Sequence, residues 1–282
     1  MPTPEIIPAA TSFLVLIKEF LNSDFIAAFV ASLAGAGLGV WGAQKSAERS
    51  LAIKELRESL RYTNAAIILA ETITNNVIVL KKQFIDPYSK KFSIDQEVAK
   101  NYNQQILENL KPFDKPKLPL SLSKSSPPAF SLDALKKLTY STPLLSAEAL
   151  AQMVMMEKAV ADLSHVMEQR NELINSLQNS SLTSEDKVRI YYGLKRPDGG
   201  SDEVYSNTID GLKLYSDVLI ISGCELTEEL DKHAFAIREQ LLKLSPKGFQ
   251  VNSVDFAKAK ERDFATSRKH YEELPEDDES PK

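Results

Sequence analysis

The chain has 282 residues, a formal net charge of −5 and a pI near 5.5, and no block of Lys and Arg anywhere supplies the concentrated basic face that phosphate contacts need, which argues against a nucleic-acid partner. Only ten glycines and one tryptophan occur in a sequence that is 43% hydrophobic and 26% charged, a balance that favours helices over turn-rich β structure. Cys224 is the single cysteine, so an intramolecular disulfide and a thiolate metal cage are both excluded, and a reducing compartment fits.

In residues 1–22, Ile6, Ile7, Phe13, Leu14, Leu16, Ile17, Phe20 and Leu21 leave a narrow polar stripe of Glu5, Thr11, Ser12, Lys18 and Glu19. This is the pattern of an amphipathic helix lying in a membrane interface, or of one arm of a helical hairpin. Residues 23–44 follow as a transmembrane helix. From Phe25 to Gln44 no charge occurs for twenty residues, enough at about 1.5 Å per residue to cross the roughly 30 Å hydrocarbon layer. Ser23 and Asp24 supply a cap, and Trp41 stands where an indole favours the headgroups. The same composition suits a buried helix of a soluble protein; a cleaved signal peptide would carry a basic N-terminal region, which is missing.

Ala31, Gly35 and Gly39 recur every four residues, with Ala28, Ser32 and Ala36 in a parallel row. In lipid such a face permits close helix–helix approach, so Ala31, Gly35 and Gly39 are read as a helix-association face; mere tolerance of small residues is the other reading. The flank after the span carries Lys45, Arg49, Lys54, Arg57 and Arg61, which places the C-terminal side in the cytoplasm.

Residues 45–250 read as a cytoplasmic helical bundle. A helix continuous with the span has its apolar seam at Ile53, Leu56, Leu60, Ile67, Ala70, Ile73, Val77, Leu80 and Phe84, and Asp86-Pro87 is expected to stop it. A shorter helix near 94–110 follows, with Ser93 as cap. Five prolines between Pro112 and Pro128 make 111–130 an extended connector or a polyproline ligand. Ser146 opens a second long helix with a seam at Leu150, Met153, Met156, Val160, Leu163, Met167, Ile174 and Leu177. A short helix near Ser184 to Tyr192 and the turn Asp198-Gly199-Gly200 lead to a third, whose row Tyr205, Ile209, Leu212, Leu219, Gly223, Leu226, Leu230, His233, Ile237 and Leu244 ends before Pro246. The fold class is therefore all-α, an elongated antiparallel bundle of long helices. Residues 251–282, closing in EELPEDDESPK, form an acidic tail expected to be disordered.

Chemistry is sparse. No P-loop, Gly-rich dinucleotide turn or HExxH motif occurs, and there are three histidines. His165 and Glu168 stand one helical turn apart, with Asp162 a turn earlier, and are the candidate metal ligands; a di-metal bundle needs a second such pair, so no metal and no cofactor is expected. His233 falls on an apolar seam as a core residue. Cys224 has no neighbouring cation to stabilise a thiolate and reads as structural. Met153, Met155, Met156 and Met167 either fill core or form an adaptable docking surface. Asn64, Asn75 and Asn76 interrupt an apolar helix, where buried amides fix register or hold a ligand edge.

The segment RYTNAAIILAETITNNVIVLKKQF, from Arg61 to Phe84, with Thr63-Asn64-Ala65-Ala66 and Leu80-Lys81-Lys82-Gln83 and the Gly/Ala-rich span before it, resembles an uncharacterised group of single-span bacterial membrane proteins. The likeness covers about a third of the chain and implies a bacterial inner-membrane setting without assigning any functional residue. The expected function is a membrane-anchored scaffold or sensor that is not an enzyme, with the lipid bilayer and a second copy or another protein as partners. A membrane effector, such as a pore-forming or stress-triggered toxin subunit, and an enzyme with a cryptic bundle metal site are the alternatives.

Overall fold

The computed structural model describes residues 24–108 and 115–245, and among them helices, turns and one extended strap make up the whole fold, with no strand. The amphipathic segment 1–22, the tail 251–282, Pro246 and the start of the proline-rich stretch lie outside the described residues.

Helix α1 (Asp24–Leu80) runs unbroken for 57 residues, about 85 Å at 1.5 Å per residue. Its buried side is a row spaced by threes and fours: Ile53, Leu56, Leu60, Thr63, Ile67, Ala70, Thr74 and Val77, of which the first two are half-buried. Thr63 and Thr74 enter this row because each hydroxyl donates to the carbonyl four residues back, Ser59 O and Ala70 O, both at 2.8 Å. Asn75 and Asn76, by contrast, are exposed, so inside one chain they do not set the register.

The chain does not break at Asp86-Pro87. A π-helical turn, Lys81–Ile85, widens the spiral so that the Asp86 N–H reaches back to Lys81 O, and Pro87 then occupies the first turn of α2 (Asp86–Leu107). The wide turn relieves the clash that the Pro87 ring would make with a regular helix. Ser93 consequently lies exposed within α2 and caps nothing. A ten-residue helix, α3 (Leu132–Ser141), buries only Leu135 and Thr139, too little to mark it by periodicity.

Helix α4 (Ala147–Asn179) starts where Ser146 accepts the Ala149 N–H at 3.1 Å. Thr183 caps α5 (Ser184–Tyr192) in the same way, and Gly193 ends it at φ 64°, a left-handed conformation that glycine adopts without strain. Helix α6 (Val204–Leu244) is the central element. It runs antiparallel to α1, with Leu244 beside Arg49 and Asp217 paired with Lys81, and antiparallel to α4, with Glu229 at Ser146 and Gly211 against Val166. Gly223 marks the closest approach: a Cβ there would collide with the Thr74 hydroxyl and meet Met156.

Two cores result. The first joins α1, α3, α4 and α6 and takes in Met153, Met156 and Met167, so these methionines fill core while Met155 stays exposed. The second, at the opposite end of the bundle from Arg49, gathers Phe92, Ile174, Leu177, Tyr191, Tyr192 and Tyr205.

Candidate functional site

The residues singled out as metal candidates do not converge. His165 and Glu168 are both exposed on α4 and Asp162 is half-buried, because Leu163, Val166, Met167 and Arg170 take the inward positions. Among the described residues no group of three or more His, Cys, Asp or Glu side chains could hold a metal ion. Cys224 is buried in α6.

His233 sits at the rim of the seam, half-buried, while Leu230, Ala234, Ile237 and Leu241 form the buried row. Its Nε2 is enclosed without a hydrogen-bond partner, and burial lowers its pKa from the ordinary 6.5. The unfolded chain therefore binds more protons than the folded one just below pH 6.5, so this residue's contribution makes stability rise with pH through that window. Replacing His233 by Leu should remove that slope, measured as the denaturation midpoint against pH, while leaving the midpoint near neutrality almost unchanged. An identical acid slope in the variant would assign it to other groups.

The N-terminal part of α1 is the least ordinary surface. Every residue from 35 to 50 is exposed, as are Ala28, Ala31, Ser32 and Leu33, although the stretch to Gln44 holds no charge. Leu33, Leu38, Val40 and Trp41 all project from it. Nothing meets Gly35 or Gly39 within 4 Å, and Lys45 lies over the Trp41 ring at 4.9 Å. Within the helix from Ala31 to Leu107, an eighteen-residue window reaches a mean hydropathy of 1.3 with 39% of it buried. A window buried to that extent includes the core-facing turns of α1, so exposure rather than hydropathy sets the segment before Lys45 apart.

At the far end the proline-rich stretch lies as a strap held by side chains that reach its backbone. Tyr192 donates to Pro119 O at 2.7 Å, Gln178 to Leu122 O at 3.0 Å and Asn171 to Ser125 O at 2.7 Å, while Asn171 Oδ1 accepts the Ser125 N–H at 3.2 Å. Leu118, Leu120 and Leu122 pack on the second core. Beneath the strap Arg170 is wholly buried. Its Nη1 donates to Ser123 O at 3.1 Å and its guanidinium lies over Tyr88 at 4.6 Å, but Nε and Nη2 have no partner. The Tyr88 hydroxyl bonds those of Tyr191 and Tyr205 at 2.8 and 2.6 Å. Burial is the main cause raising the pKa of the Tyr191 and Tyr205 phenols, which therefore stay protonated.

Arg170 is the residue that a search for catalytic motifs passes over. The signal is present all the same, since 163, 167, 170, 174 and 177 continue one row by fours and threes. A cleft of about 300 Å³ opens between α2, the strap and α5, lined by Tyr102, Ile106, Leu118, Val188 and Arg189, with the exposed Lys115–Glu185 ion pair at 2.7 Å among its lining residues. Comparison of the chain with protein-family models, with curated proteins and with solved structures finds no match.

Proposed function

We propose that this is a single-span, membrane-anchored interaction protein of the bacterial inner membrane, a scaffold or sensor rather than an enzyme. Residues 25–44 cross the bilayer, and the bundle behind them stands on the cytoplasmic side to bind a protein partner. One observation carries the reading: an uncharged helical segment, apolar around its circumference and exposed wherever its side chains are described, continues without a break into the helix that forms the bundle core. Water is a poor solvent for such a surface, whereas lipid satisfies it and needs only the helix's own backbone hydrogen bonds.

Trp41 under the Lys45 ammonium suits a headgroup layer, where an aromatic ring and a cation both find partners. Lys45, Arg49, Lys54, Arg57 and Arg61 set the cytoplasmic orientation. The bundle supports the non-catalytic part by presenting long helical faces and spread polar groups. A reporter fused after Lys282 is expected to be active only when it works in the cytoplasm. Activity confined to a periplasm-specific reporter would reject the orientation.

A further inference from the structure

Arg170 combines complete burial with a pair of donors that no other group uses. Among the described residues its one hydrogen-bond partner is the neutral carbonyl of Ser123, which Nη1 reaches at 3.1 Å. Nε and Nη2 are enclosed and have none. These two nitrogens form the edge of the guanidinium on which two N–H bonds run parallel, the fork that grips both oxygens of one carboxylate or phosphate. Rings crowd the cation, with those of Tyr88, Phe84 and Tyr205 centred 4.6, 5.8 and 5.9 Å from Cζ. The Tyr191 and Tyr205 phenols stay protonated, so they bring no negative charge to it. In the strap above, Ser125 Oγ is likewise enclosed without a partner.

We infer that this edge of Arg170 is the binding site of a small aliphatic monocarboxylate, which enters beneath the strap and pairs with Nε and Nη2 while Nη1 keeps Ser123 O. Two arguments select a carboxylate over a phosphate. A single negative charge cancels that of the guanidinium, whereas a phosphate dianion would leave its second charge buried and uncompensated. A carboxylate has two oxygens, and the edge supplies a donor to each. The remaining oxygens of a phosphate would face aromatic rings without donors of their own. A short aliphatic body, in contrast, suits surroundings made of Phe84, Tyr88 and Tyr205.

The strap is built to let such a ligand pass. Its backbone is held by the side chains of Tyr192, Gln178 and Asn171 and belongs to no helix or sheet ladder, so it lifts without breaking an element of secondary structure. Leu118 both packs on the second core and lines the cleft of about 300 Å³, which brings solvent to the flank of the strap. The inference gives a ligand to the sensor reading but does not rest on the membrane span or on a protein partner.

The test titrates sodium butyrate at neutral pH into the purified full chain in detergent, with ionic strength held constant by sodium chloride, and follows the urea midpoint. A ligand that binds only the folded protein multiplies the folded-to-unfolded ratio by one plus its concentration over its dissociation constant, about elevenfold at ten times that constant. The wild type should show this rise with butyrate and not with inorganic phosphate. Arg170→Met keeps the length of the side chain without its donors, and Arg170→Lys keeps the charge without the parallel edge. Each should bind butyrate at least about tenfold more weakly, the loss expected from one charge-assisted hydrogen bond, and a folded state in either one suffices for the comparison. No rise in the wild type beyond the chloride control would leave water as the partner of this edge and overturn the site. An equal rise in a folded variant would place butyrate elsewhere, and an equal rise with phosphate would remove the preference for a carboxylate; both results overturn the inference as stated.

Discussion

Leu226→Asp should unfold the bundle. Leu226 has no exposure and lies on α6 one turn after Gly223, where α6 passes closest to Thr74 of α1 and Met156 of α4. Truncation to Ala at such a site costs about 2–5 kcal/mol through lost transfer energy and an unfilled cavity. Aspartate adds a carboxylate with no solvent. Leu226 lies in a cluster of hydrophobic side chains, so the acid either stays protonated at a raised pKa or draws water into the packing. A combined loss above about 4 kcal/mol is comparable with the whole stability of a domain, about 5–15 kcal/mol. Thermal unfolding followed by circular dichroism should give a lowered but cooperative transition for Leu226→Ala and none for Leu226→Asp. A cooperative transition near the wild-type temperature for the aspartate variant would mean that α6 does not lie between α1 and α4.

A contrast between two substitutions at Arg170 should be nearly as large. This guanidinium has lost its water, faces aromatic rings and one carbonyl, and keeps two nitrogens without partners. Taking an ion out of water costs several kcal/mol, which stacking on Tyr88, worth about 2 kcal/mol when desolvated, and one hydrogen bond offset only in part. What the side chain supplies in full is volume under the strap. Arg170→Ala should therefore lose about 2–5 kcal/mol and loosen residues 115–131. Arg170→Met, which keeps the length and removes the charge, should stay within about 1.5 kcal/mol of the wild type. Denaturant midpoints measure the stabilities, and limited proteolysis within the strap, faster in the alanine variant alone, reads the local effect. Equal damage from both substitutions would show that the charge itself is needed.

Much of the architecture is legible from periodicity because each long helix hides one continuous row. Ser146, the short helix from Ser184 to Tyr192 and the Asp198-Gly199-Gly200 turn stand where the sequence places them. Other features depend on contacts that no local pattern records. Pro87 does not stop the helix, since a π turn five residues long absorbs it. Thr63 and Thr74 read as polar, yet each satisfies its own hydroxyl on the preceding turn and so packs like an apolar residue. Arg170 reads as a break in the apolar row, yet it extends that row under cover of the strap. Asn75 and Asn76 face outward because Thr74 and Val77 on either side of them take the buried positions of the row.

The anchor itself is tested most directly by washing membranes that carry the full chain at alkaline pH, which strips proteins held by charge or surface adsorption alone. With residues 25–44 across the bilayer, the protein stays in the membrane pellet and leaves it only in detergent. Its appearance in the alkaline supernatant would contradict the span and leave the exposed apolar segment of α1 to be covered by protein instead.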